Sequence, residues 1–246
     1  MRPFWYRVAA ALAVTAMLAG TALALTLTAG PAPRGRAAAA RPSHPGPASG
    51  PADRGRAPLR LAAGTRPVNG LYLGYPRSAV GAVSAAVEFV TELGSTLDPD
   101  RAATVARLVA DPSYSVAPIA AAAGVASTRH RLGLPVAGPL PPGTAVSLVP
   151  TMFQVQDVTA SRVTVLLLFD YTAMVPAGIS ERLGAMAAAM HWTQAGWRLL
   201  QPGAPNVPGP NMSGPNVPGP NMSGLIATPG TAAAAAKGWK AMTSGM

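Results

Sequence analysis

The sequence predicts an α+β domain carried behind a single membrane-spanning helix. Three observations carry that prediction. Residues 8–29 (VAAALAVTAMLAGTALALTLTA) contain no charge. Beyond residue 70, apolar residues recur first at helical spacing and then, from Thr144, at every second position. Between these regions lies a stretch of Pro, Gly, Ala and Arg that cannot supply a core.

Residues 1–7 (MRPFWYR) form a cytoplasmic lead, with Arg2 and Arg7 suiting the inner side and Phe4, Trp5 and Tyr6 the headgroup layer. At about 1.5 Å per helical residue, residues 8–29 reach roughly 33 Å, enough for a hydrocarbon core of about 30 Å. This run is the expected contact with the lipid bilayer. It places the chain in the cell membrane as a single-pass protein, N-terminus cytoplasmic and domain outside. The alternative is a signal peptide cut near Ala24, after the small-x-small sequence Ala22-Leu23-Ala24, which would release a secreted Pro-rich surface protein.

Residues 30–69 are expected to be a disordered linker, and its charge decides how the protein's basicity is read. The chain carries a formal net charge of +10. Residues 1–66 hold nine arginines against Asp53 alone, whereas residues 67–204 hold eight arginines against eight acids. The expected domain is therefore neutral, and direct nucleic-acid binding by it is not expected. The chain has no cysteine, which excludes disulfides, thiolate zinc sites and thiol nucleophiles.

The domain is expected over residues 70–204. Val80, Val83, Val87 and Val90 form one helical stripe, with Ser78 as N-cap and Gly94 as the stop. Asp98 caps a second helix, Pro99 takes its first turn, and Asp100 suits the positive end of the dipole. Its inward residues are Ala102, Val105, Leu108 and Val109, and Asp111-Pro112 ends it. A weaker third helix spans residues 118–132, its Arg129, His130 and Arg131 suiting the C-terminal dipole. Residues 145–156 read as a strand in which Pro150 demands an edge or a bulge. Residues 162–175 (RVTVLLLFDYTAMV) are the strongest strand, and Leu166 and Leu168 give it a second apolar face. Residues 176–181 connect it to a strand at 183–192. The turn 193–196 then leads into 197–200, with Trp192 and Trp197 as a cross-strand pair.

A tandem decamer, PNVPGPNMSG, fills residues 205–214 and again 215–224, too rich in Pro and Gly to pack. In the tail, residues 225–246, Trp239 stands between Lys237 and Lys240 and is expected to dock on the domain, making the repeat a loop pinned at both ends.

The hairpin pattern W-x-x-x-G-W-R-L at 192–199, following helices and long strands, resembles the NTF2-like cone fold. With a membrane span and linker in front, the layout is similar to assembly proteins of type IV secretion and conjugation channels. It is also similar to Mce-associated membrane proteins of high-GC Gram-positive bacteria. The opening 74–82 (GYPRSAVGA) resembles that of membrane-anchored proteins encoded beside plasmid-transfer genes. The resemblance implies two to three helices packed on a curled antiparallel sheet of about four strands. It implies a non-enzymatic role in protein–protein assembly, with other envelope proteins as partners, and it allows a homo-oligomer. Some NTF2-like relatives are isomerases or dehydratases that use Asp, His or Tyr in the cone. Asp170, Tyr171 and His191 are the residues that such an enzyme would use here. No cofactor or metal is expected: His130 and His191 lack zinc-binding spacing, and no Gly-rich phosphate loop occurs.

Overall fold

The computed structural model describes residues 57–201 and 222–243. Strands β1 (Leu59–Arg60), β2 (Arg66–Val68) and β3 (Leu71–Leu73) precede helices α1 (Ala79–Gly94), α2 (Pro99–Val109) and α3 (Ala117–Arg131). Three long strands follow, β4 (Ala145–Gln156), β5 (Arg162–Val175) and β6 (Gly178–Thr193), and then the short β7 (Gly196–Leu199). The chain closes with a 3-10 turn (Met222–Leu225), the short helix α4 (Ala232–Ala236) and β8 (Lys240–Thr243).

Local chemistry explains these bounds. The Ser78 hydroxyl accepts from the Gly81 amide at 3.1 Å, and the Asp98 carboxylate accepts from the Asp100 amide at 2.9 Å. Helix α3 has no side-chain cap. Its C-terminal end is held by Arg129, which is 5% exposed. That guanidinium donates to the carbonyls of Leu97 at 2.6 Å and Gly138 at 2.9 Å, tying two loops to the helix. A buried clamp, and not only a favourable dipole, is thus what Arg129 provides. In β4 the register shifts between Pro150 and Met152, a bulge, the second of the two expected settings for Pro150.

The expected fold class needs correction. No helix among the described residues is long and apolar enough to cross a membrane, and the expected span at residues 8–29 lies outside them. The sheet has six strands, in the order β1-β8-β4-β5-β6-β7, where about four were expected. A separate antiparallel ribbon pairs β2 with β3. Strands β1 and β2 come from residues assigned to the linker, and β8 comes from the tail. They are 2, 3 and 4 residues long, too short for a period to show. Leu59 and Leu61 pack on the core regardless, and the Leu61 amide donates to the Thr243 carbonyl at 3.0 Å. Strand β6 also starts earlier than expected, because Val175 already pairs with Gly178 across a two-residue turn. Ser180, Glu181 and Arg182 face mostly solvent there, so the alternation loses its apolar half. The tandem repeat lies largely outside the described residues, apart from its last three positions.

Helices α1 and α2 cover one face of the sheet, and α3 packs on α2. Phe89, Val83, Val105 and Val109 meet Val165, Leu167, Met190 and Trp197 in the main core. The opposite face carries Met152, Leu166 and Leu168, covered by Ala227, Ala234 and Trp239 of the tail. Trp239 is 3% exposed, and its indole N–H donates to the Leu225 carbonyl at 2.7 Å. Both faces of β5 are therefore covered at its middle, and the tail is what covers the second. At the other hairpin, the rings of Trp192 and Trp197 meet edge to face with centroids 5.3 Å apart, and the Arg77 guanidinium lies 5.8 Å from the centre of Trp192.

Candidate functional site

Asp170, Tyr171 and His191 are not brought together. Asp170 is exposed and pairs across the sheet with Leu183. Tyr171, its neighbour in β5, points to the opposite face and packs against the main core. Its hydroxyl is buried without a hydrogen-bond partner, and burial raises its pKa despite the nearby charges of Arg131 and Arg182. His191 lies eight residues along β6 from Leu183. At about 3.3 Å per residue, that places it roughly 26 Å from Asp170 along the strand.

His191 has a different partner, which the sequence did not suggest. After α2 the chain runs along the free edge of β7: Ala110 bridges Leu199 in parallel, and the Asp111 amide donates to the Leu199 carbonyl at 2.7 Å. This edge pairing fixes the Asp111 carboxylate. Oδ1 accepts from the Ser113 amide at 2.9 Å and the Ser113 hydroxyl at 2.6 Å. Oδ2 lies 2.7 Å from His191 Nδ1. A carboxylate can only accept, so Nδ1 carries the hydrogen. Asp111 is 6% exposed, and burial alone would raise its pKa. The hydrogen bonds from Ser113 and His191, with the imidazolium charge, outweigh burial and hold the carboxyl below the usual aspartate value.

An aspartate bound to a histidine supplies two of the three members of a nucleophilic triad. Among the described residues, no hydroxyl is hydrogen-bonded to the second ring nitrogen of His191, and no three metal-ligating side chains converge. What the pair does here is tie the segment after α2 to β6 across β7. The sign of its pH dependence follows. A depressed carboxyl pKa contributes stability above the usual value of about 3.9, and that stability is lost as pH falls through the folded value. Asp111→Asn is expected to lower stability at neutral pH and to flatten the acid limb of the stability–pH curve. Urea unfolding from pH 7 to pH 2.5 measures both, and an unchanged acid limb would refute the assignment.

Beside Asp111 opens a cleft of about 530 Å³. Arg66 of β2, Arg107 of α2 and Arg198 of β7 line it, with Leu73, Tyr114 and Pro118 among its walls. Arg198 is 8% exposed and sits across the strand pair from His191. One of its nitrogens donates to the Trp197 carbonyl at 2.8 Å. Burial, and then the charge of Arg66, lower its pKa from the usual arginine value, with Asp111 opposing. Asp111 reads in sequence as a helix stop, Arg66 as linker and Arg198 as part of a hairpin. Their convergence has no spacing signature.

No family model matches the chain, and no curated protein matches it. Among solved structures it is similar to the crystal structure of the intermembrane space region of the chloroplast protein ARC6. That likeness has 15% identity and a TM-score of 0.34, over 51% of this chain and 95% of the other. At that level it carries no argument about fold or function.

Proposed function

We propose that this protein is a non-enzymatic assembly module of the cell envelope, which docks another envelope protein or a second copy of itself. The observation that carries the reading is an apolar pair at the tip of the β5–β6 hairpin. Met174 and Ile179 are direct cross-strand neighbours, 43% and 68% exposed. Adjacent large apolar side chains at the end of a long hairpin suit a protein contact. The dispersal of Asp170, Tyr171 and His191 supports the same reading. The membrane address rests on the uncharged sequence of residues 8–29, and the kind of complex, a conjugation or other envelope assembly, rests on the resemblance of the hairpin and opening motifs.

Photo-cross-linking in the cells that make the protein tests this. A photoreactive residue at Ser180 is expected to give a discrete adduct. Met174→Glu with Ile179→Glu should remove that adduct without shifting the thermal midpoint, and Asp170→Ala should leave it intact. No adduct, or one indifferent to the double substitution, would overturn the proposal.

A further inference from the structure

The three-arginine cleft points to a second property, independent of the hairpin tip. Arg66, Arg107 and Arg198 reach it from a strand ribbon, a helix end and the last hairpin. Among the described residues, the ion pairs of the domain are Arg101 with Glu92 and His191 with Asp111, so none of these three arginines has a carboxylate within 4.0 Å. Arg66 and Arg107 are exposed, but Arg198 is 8% exposed. A guanidinium so deeply placed without a counter-charge is costly. The one acid at the cleft offsets this cost only in part: the Asp111 charge favours the guanidinium, but both its oxygens are engaged by Ser113 and His191 and neither forms an ion pair with Arg198.

We propose that this cleft binds an oxyanion, a phosphate or carboxylate group, held by Arg198 at its base and by Arg66 and Arg107 at its rim. The planar guanidinium fork matches either group with paired hydrogen bonds. Val68, Leu73 and Leu108 in the walls lower the local dielectric, which strengthens each charge contact relative to bulk water. Because the rim arginines face solvent, binding weakens as salt screens them.

The test is a titration of the full chain, held in neutral detergent at low salt, followed by calorimetry and by the arginine Nε signals in NMR. Inorganic phosphate and a hexaglutamate peptide are the two probes. Saturable binding of phosphate assigns the site to free phosphate or phosphate esters, and saturation by the peptide alone assigns it to acidic polypeptide. Either result requires that Arg66→Ala, an exposed position that leaves the fold intact, weaken binding about tenfold or more, and that Arg198→Leu abolish it. Arg182→Ala, at the far end of β6, should change nothing. If neither probe saturates the wild-type chain, or if binding persists undiminished in Arg66→Ala, the cleft is not an oxyanion site.

Discussion

Trp239→Ala is expected to cost about 4 kcal/mol of folding stability, the usual range for emptying a buried tryptophan site. The tail's other anchors are smaller: Leu225 packs partly buried beside it, Met242 reaches the main core, and the Gln154 amide donates to the Lys237 carbonyl at 3.0 Å. Ala227 and Ala234 contribute little area, so Trp239 supplies most of what covers Met152, Leu166 and Leu168. Its loss also leaves the Leu225 carbonyl without the indole donor that now meets it at 2.7 Å. Strand β8 depends on the same docking, since Lys240 and Ala241 pair with β4, and among the described residues β1 pairs only with β8. The substitution should therefore release both edge strands together. For a domain of this size the thermal midpoint should fall by roughly 10 °C. Hydrogen exchange should speed up in β8 and β1 before it does in β5. A midpoint unchanged in Trp239→Ala would mean that the tail is a passive covering.

Gly81→Ala is expected to destabilise by about 3 kcal/mol, although Ala normally favours a helix over Gly by about 1 kcal/mol. A Cβ at Gly81 would overlap the carbonyl oxygen of Pro76, far inside van der Waals contact. That oxygen cannot simply move. It accepts from the Ser78 amide at 2.9 Å and from the Trp197 indole N–H at 2.9 Å, joining the start of α1 to β7 across 121 residues. The opening motif GYPRSAVGA thus has a physical reading. Gly74 turns at φ +76, Tyr75 packs edge to face on Phe89, Pro76 presents its carbonyl, Ser78 caps the helix, and Gly81 admits the close approach. Denaturation of Gly81→Ala monitored by Trp fluorescence checks this. A stabilised variant would show that the Pro76 turn yields without loss.

The same physics separates what was legible from what was not. Helices α1 and α2 were legible because capping and the repeat of apolar positions act over three or four residues. Strands β4 and β5 were legible because alternation acts over two. The expectation of an edge or a bulge at Pro150 follows from one missing amide donor, a property of a single residue. Leu166 and Leu168 announced a second covered face but could not name its cover. The candidate trio of Asp170, Tyr171 and His191 failed as a cluster for a geometric reason: adjacent strand residues point to opposite faces, and eight residues of extended chain separate the acid from the histidine.

What the chain order alone determined is the set of local elements: two long helices capped and stopped by named residues, a weaker third, the long strands with their period, the short hairpin strand after them, and a neutral α+β domain. Tertiary structure decided three further things. The two short edge strands exist because the tail folds back to pair with β4. Asp111 meets His191 because the chain after α2 runs along the edge of β7. Three arginines share a cleft because a ribbon, a helix end and a hairpin converge. The reason is range. Capping and periodicity are written within a few residues, whereas contacts such as Asp111 with His191, 80 positions apart, leave no spacing for a sequence to reveal.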